Sequence, residues 1–246
     1  MATVSEVAGP LAGICVPVPV AGEGVCAVCH THTREGYTTC WSCYKTTSQV
    51  SKPCRLVVPI SLYEIPSQLH HILRYYKSDS YNAARRHDFA VKTVVLLCHF
   101  LGLHRACIKV AAGVDWDVVT NVPSSSGRAG EHPLVAALRM VPSVFESYEP
   151  LLRRGPGAID HLVASDDGYL ATGSVRGRRV LLIDDTFTSG ARAQSAASAL
   201  ALAGARVVAI VPIGRVVDPH WDHMPEWWDV QKRKRFTFRD CCLDPF

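Results

Sequence analysis

The first twenty residues contain no lysine or arginine, include Glu6, and are interrupted by Pro10, Pro17 and Pro19. They lack the charged start and continuous apolar core of a secretory signal. No apolar run approaches the length of a membrane span. An excess of one charge sign is also missing. With 26 Lys and Arg against 22 Asp and Glu, the formal net charge of +4 is too small to mark a nucleic-acid binder. Glycine and proline are ordinary for 246 residues, which suits one sizeable domain with a small appendage. These absences predict a soluble, cytoplasmic protein with no membrane partner. Cysteine, by contrast, is plentiful: ten residues, which in such a chain point to metal binding rather than structural disulfides.

Cys26-Ala-Val-Cys29 and Cys40-Trp-Ser-Cys43 form two Cys-x-x-Cys knuckles ten residues apart. Each knuckle can place two thiolates on one side of a tight turn. Together they complete a tetrahedral Zn²⁺ site with no open position for chemistry. So short a segment buries too little apolar surface to fold alone, so metal would supply much of its stability. A redox dithiol or an iron–sulfur cluster competes with this reading. A redox Cys-x-x-Cys, however, normally opens a helix and comes singly. His30, His32 and Cys54 read as bystanders. Few aromatic or basic residues are interleaved for stacking on bases, which favours structural bracing over nucleic-acid contact.

The second dense signal is Val180-Leu-Leu-Ile-Asp-Asp-Thr-Phe-Thr-Ser-Gly-Ala-Arg192. Four apolar residues read as a strand buried on both faces of a parallel sheet. They end in Asp184 and Asp185, a hydroxyl-rich loop, and an alanine-rich helix that Gly204 terminates. Ligands of such sheets bind past the carboxyl ends of the strands, and a helix amino terminus attracts anions. Two carboxylates beside a phosphate cradle suit a sugar phosphate. An ordinary doubly wound domain with an acidic strand end, as in response regulators or haloacid phosphatases, is the bland alternative.

This pattern resembles the PRPP-binding signature of type I phosphoribosyltransferases. The resemblance implies that Asp184 and Asp185 bind the ribose hydroxyls, and that Thr188, Ser189, Gly190, Ala191 and Arg192 hold the 5′-phosphate. The usual last residue of the signature is Thr or Ser, where this chain has Arg192. Thr188 stands where purine-salvage relatives often carry an acidic residue, so that candidate base is missing. A zinc ribbon before such a signature is similar to the ComF-like family, named from bacterial DNA-uptake competence. Likeness to that family spans Cys26 to about Ile213 and is tight only at the knuckles and the PRPP loop.

Asp117 to Pro123 reads as another strand, followed by Ser124, Ser125, Ser126, Gly127, Arg128, Ala129 and Gly130. By resemblance, Ser124 to Arg128 wrap the pyrophosphate. Small residues let backbone N–H groups approach an anion, and Arg128 would neutralise leaving-group charge. ComF-like chains usually show Arg-Gly-Phe-Asn where this one has Arg-Ala-Gly-Glu. Helices are predicted over Ile65 to Lys77, over Tyr81 to His104 with a cap at Asp79–Ser80 and a breaker at Gly102, and over His132 to Val141. Lys77 stands where relatives carry a lysine near the diphosphate. Cys98 and Cys107 read as core residues, and His70, His71, His99 and His104 show no metal spacing. The turn-rich segment from Arg153 to Gly177 falls where type I enzymes carry a mobile closing loop. Arg206 to Ile213 completes a βαβ unit.

The expected fold is α/β: a type I phosphoribosyltransferase fold, mostly parallel and flanked by helices, with a small amino-terminal zinc ribbon. Its divisions are an extension over 1–25, the ribbon over 26–55, the core over 56–215, and an aromatic and basic carboxyl-terminal segment over 216–246. The resemblance implies transfer of the phosphoribosyl group from PRPP to an unknown nucleophile, with Mg²⁺ on the substrate, structural Zn²⁺ in the ribbon, and pyrophosphate as product. No residue can be named as general base. A non-catalytic PRPP-binding regulator and a competence-type single-strand DNA-handling protein are the rivals. A homodimer is compatible with either, and nucleic acid is the less favoured partner.

Overall fold

A computed structural model describes residues 3–124, 131–221 and 224–243. The chain opens with α1 (Val4–Leu11), started by a reciprocal capping box in which Glu6 N donates to Thr3 Oγ1 and Thr3 N donates to Glu6. A short 3₁₀ turn, Ala12–Ile14, follows. α2 (Trp41–Ser48) begins immediately after Cys40 of the second knuckle. β1 (Ser61–Tyr63) leads to α3 (Gln68–Tyr75), capped by Ser67, and to the long α4 (Ala83–Ala112), capped by Asn82. Then come β2 (Val118–Asn121), α5 (Pro133–Leu138), α6 (Pro142–Phe145), β3 (Leu152–Arg154) and β4 (Tyr169–Ala171). The chain continues through β5 (Arg179–Phe187), α7 (Ala191–Leu202), β6 (Arg206–Val216) and α8 (Met224–Gln231).

Several expected boundaries move. α4 is capped by Asn82 rather than Asp79–Ser80, and it runs through Gly102 to a left-handed Gly113 with φ 68°. An internal glycine costs a helix about 1 kcal/mol. That loss is small beside the burial of Val94, Leu97, Leu101 and Ile108 on the same helix, each contributing about 1.5–3 kcal/mol. Among the described helices only α4 is long and apolar enough to cross a membrane. Its apolar face is instead packed on the sheet and on α1. The helix expected over His132 to Val141 is the shorter α5, which ends at Leu138, and a separate α6 starts at Pro142 just beyond it.

Four parallel strands form the main sheet in the order β1-β6-β5-β2. Alternation along β5 separates the two sides. Leu181 and Ile183 join α4, α5 and the carboxyl-terminal Phe236 and Phe238 in one core. Val180 and Leu182 join the alanines of α7 and three knuckle cysteines in the other. The result is a helix–sheet–helix layering in which the cysteine module shares the α7 face. This is a mixed α/β fold on a parallel sheet with a four-cysteine cluster near the amino terminus.

The segment expected to supply a mobile closing loop includes a two-stranded antiparallel hairpin of β3 and β4. The stretch joining its strands is pinned to its surroundings. The Asp166 carboxylate accepts from Ser51 N at 2.9 Å and from Ser198 Oγ at 2.5 Å. Leu162 N donates to Ser189 Oγ at 3.2 Å.

Candidate functional site

β5 extends past the acidic pair to Phe187, because β6 is long enough to keep pairing it as far as Arg215. On the other side β2 ends opposite Ile183. From Asp184 onward that edge of β5 is therefore uncovered, and there the carboxylates open onto two neighbouring cavities of about 450 and 980 Å³. This lies at the carboxyl ends of parallel strands, where ligands of open α/β sheets bind.

The two carboxylates are chemically unequal. Asp185 is buried, and its Oδ2 accepts from the Tyr76 hydroxyl and, at 2.6 Å, from Lys77 Nζ. Burial opposes its charge, but the Lys77 ammonium and these two donors hold its carboxyl below the ordinary range. Asp184 is half-buried. Burial and then the charge of Asp185 raise it well above the usual carboxylate range, against the pull of Lys77 and Arg192. Asp185 is thus an anchored anion and Asp184 a carboxyl held ready to lose its proton.

A raised folded-state carboxyl pKa means that the folded chain holds the Asp184 proton more tightly than the unfolded chain does. Its contribution to stability therefore falls as pH rises from the ordinary carboxylate value through the raised one. Asp184→Asn should consequently raise the melting temperature of the ligand-free protein at mildly alkaline pH and make little difference near pH 4. Paired thermal melts at both pH values check this; an equal effect at both would contradict the assignment.

The predicted phosphate loop lines the smaller cavity as one continuous arc, from Thr188 through Ser189, Gly190 and Ala191 to Arg192. Gly190 caps α7 in the left-handed region, with φ 87°. A side chain there would be strained, and its Cβ would meet Phe187 Cζ at 2.5 Å. Gly190→Ala should destabilise the fold by about 1–3 kcal/mol and weaken anion binding at the loop at least tenfold, as melts and calorimetry would show. Ser189 is buried, and its hydroxyl accepts from the Leu162 and Ala191 backbone N–H groups. That leaves Thr188 and Arg192 as the exposed side chains of the arc.

Arg192 lines both cavities beside Asp184. Ser124, first of the predicted pyrophosphate residues, lines the larger cavity together with His132 and Arg154. Ser125, Ser126, Gly127 and Arg128 lie outside the described residues. Lys77 is placed against Asp185, on the wall shared by both cavities.

The sulfur atoms of Cys26, Cys29, Cys40 and Cys43 lie within 4.8 Å of one another. Cys29 and Cys40 are 3.6 Å apart, close to the roughly 3.8 Å edge of a tetrahedron with zinc–sulfur bonds of about 2.3 Å. Four thiol donors in this arrangement fit a structural zinc. His30, His32 and Cys54 stand outside the group, as expected. His30 Nδ1 instead meets the Pro19 carbonyl at 3.1 Å, and Cys54 N donates to Gln194 Oε1.

Arg215 ties this cluster to the phosphate loop. Its guanidinium is buried, contacts Cys29, and donates to the Thr188 carbonyl at 2.5 Å. Burial disfavours the charge, yet Cys29 and then Cys40 and Cys43 hold it firmly protonated. The strand expected from the sequence stops at Ile213, so only the extension of β6 to Val216 shows Arg215 as a buried charge that requires partners. Tyr63 also went unanticipated. Burial pushes its phenol up to about 12, so it remains a donor to Thr186 Oγ1 at 3.4 Å. Tyr76 carried no signal beyond its place beside Lys77.

Past Val216, which lines the smaller cavity, the described residues of the carboxyl-terminal segment pack away from both cavities. Trp228 is buried and donates to Glu64 Oε2 at 2.7 Å, while Phe236 and Phe238 join the α4 side of the core. Trp227 lies 6.0 Å from His32, against the cysteine module. The chain matches no protein-family model and no curated protein.

Proposed function

We propose that this chain is a ComF-like phosphoribosyltransferase that binds PRPP with Mg²⁺ and transfers its phosphoribosyl group to an as yet unidentified nucleophile, releasing pyrophosphate. The observation that carries this reading is the joint placement of Asp184, Asp185 and the 188–192 arc around one cavity at the end of a parallel strand. Carboxylates suit vicinal sugar hydroxyls, and a helix amino terminus with small residues suits a phosphate ester. The cavities are also ringed by Arg74, Lys77, Arg139, Arg154 and Arg192, which favours a polyanion over a neutral sugar.

In this reading Asp184 accepts from a ribose hydroxyl once it has lost its proton, and the Tyr76 and Lys77 donors fix Asp185 beside it. Thr188, Arg192 and the α7 amino terminus hold the 5′-phosphate, so the anomeric carbon is presented towards the larger cavity. Arg192 and Lys77 offset negative charge as pyrophosphate departs from an oxocarbenium-like transition state. The carboxylate and diphosphate oxygens form a hard donor set that suits Mg²⁺, which would neutralise leaving-group charge when bound. Because Asp184 must ionise, PRPP affinity should rise with pH through the neutral range, and Asp184→Asn should flatten that dependence.

Incubation with PRPP, Mg²⁺ and a panel of nucleobases and amines, read by mass spectrometry, tests the proposal. Pyrophosphate together with a phosphoribosylated product supports it. Tight PRPP binding without turnover would favour the regulator instead. Salt-sensitive single-strand DNA affinity without PRPP binding would favour the DNA-handling rival.

A further inference from the structure

Cys107 was expected to be an ordinary core thiol and His104 to be without metal partners. The structure brings both to a third donor from the far end of the chain. His104 and Cys107 are three residues apart on α4 and so share one helix face. Cys241, from the carboxyl-terminal segment, closes on them, so that His104 nitrogen and the two sulfurs lie within 4.8 Å of one another. His104 and Cys241 are buried, and Cys107 is half-buried.

The hydrogen bonding of the imidazole determines what this trio can do. His104 Nε2 lies 2.7 Å from the Phe238 carbonyl oxygen. A carbonyl only accepts, so Nε2 carries the proton, and in the neutral ring Nδ1 is left with a bare lone pair. That nitrogen faces Cys107 Sγ at 3.6 Å. A tetrahedral site with metal–sulfur bonds of about 2.3 Å and metal–nitrogen bonds of about 2.0 Å separates its sulfur and nitrogen by about 3.5 Å. A backbone carbonyl that fixes the outer nitrogen of a ligating histidine is a recurrent support of metal sites. Ring packing restrains the orientation further: Phe100 lies 4.5 Å from the His104 ring, and Phe238 contacts both His99 and Phe236.

We infer that His104, Cys107 and Cys241 form a second metal site, separate from the four-cysteine cluster, that takes a thiophilic d¹⁰ cation of the zinc class. One imidazole and two thiolates are soft enough to select such an ion over Mg²⁺ or Ca²⁺. Three protein donors leave one position for an exogenous ligand. The bound ion would staple the segment after α8 to the middle of α4, joining the last described residues to the core through bonds stronger than packing alone.

The test is metal content of the full chain after zinc loading and gel filtration without chelator. About two equivalents per chain are expected, falling to about one in Cys107→Ala/Cys241→Ala and staying at about two in Cys98→Ala, a buried thiol of the same helix outside the trio. Cobalt substitution of the wild-type chain covers the case in which the double variant fails to fold. Thiolate-to-cobalt absorption should then match six thiolates in two environments rather than four in one. A single equivalent in the wild type, cobalt absorption from four thiolates only, or a Cys107–Cys241 disulfide in peptide maps of the non-reduced protein would each overturn the inference.

Discussion

Asp184→Asn combined with Asp185→Asn is expected to weaken magnesium-dependent PRPP binding by a hundredfold or more while the fold stays intact. Each carboxylate supplies charge-assisted acceptance, worth about 1.5–3 kcal/mol per bond, and every 1.4 kcal/mol or so is tenfold in affinity. Asparagine nearly preserves shape, so steric loss does not explain the effect. The single variants should differ. Asp185 is the partner of Tyr76 and Lys77, so Asp185→Asn removes a charged acceptor from both donors and should carry a stability cost of its own. Among the described residues no side chain donates to Asp184 in this way, and Asp184→Asn should lose affinity while gaining stability at mildly alkaline pH. Calorimetric titration beside thermal melts separates the two roles, and unchanged affinity in the double variant would refute the site.

The second large effect belongs to the cysteine cluster. Cys26→Ser with Cys29→Ser should remove one equivalent of zinc and lower the melting midpoint by roughly 10 °C or more, since structural zinc contributes on the order of 10 kcal/mol to small modules. Cys26, Cys29 and Cys43 are packed in the same core as Val180, Leu182 and the alanines of α7, so the loss should spread into the sheet. It should also reach the ligand site. Arg215 would lose Cys29, the first of the three cysteines that hold it, and with it part of its hold on the Thr188 carbonyl. The variant should therefore bind PRPP more weakly although neither mutated residue lines either of the two cavities at the carboxylates. Elemental analysis, melts and calorimetry on one preparation check all three outcomes, and full zinc content in the variant would overturn the ligand assignment.

What could be read in the chain before its fold was known follows from how local each signal is. β5 is legible because a strand buried on both faces needs an unbroken apolar run, and Val180 to Ile183 supply it. α7 is legible because small residues spaced by glycines at each end can pack closely on a sheet. The knuckles are legible because four thiols at fixed spacing have few other uses. Partners distant in sequence were not. The resemblance put Lys77 near the ligand, but nothing around Tyr76 or Lys77 indicates that both donate to Asp185, more than a hundred residues later. Arg215 was missed for a different reason: the apolar run read as a strand ends at Ile213, and only the pairing of β6 with β5 carries that strand on through Arg215. The His104, Cys107 and Cys241 grouping was invisible because its third member arrives from the other end of the chain. Gly102 misled as a helix breaker because tertiary burial along α4 outweighs one local propensity.

The central claim is that a pentose held by Asp184 and Asp185 places its phosphate ester in the arc from Thr188 to Arg192. A crystal structure of the full chain soaked with PRPP and Mg²⁺ tests it most directly. The account predicts density for the sugar with its ring hydroxyls on the two carboxylates and its 5′-phosphate against the α7 amino terminus. A cavity that stays empty at saturating ligand, or a sugar seated elsewhere on the molecule, would contradict it.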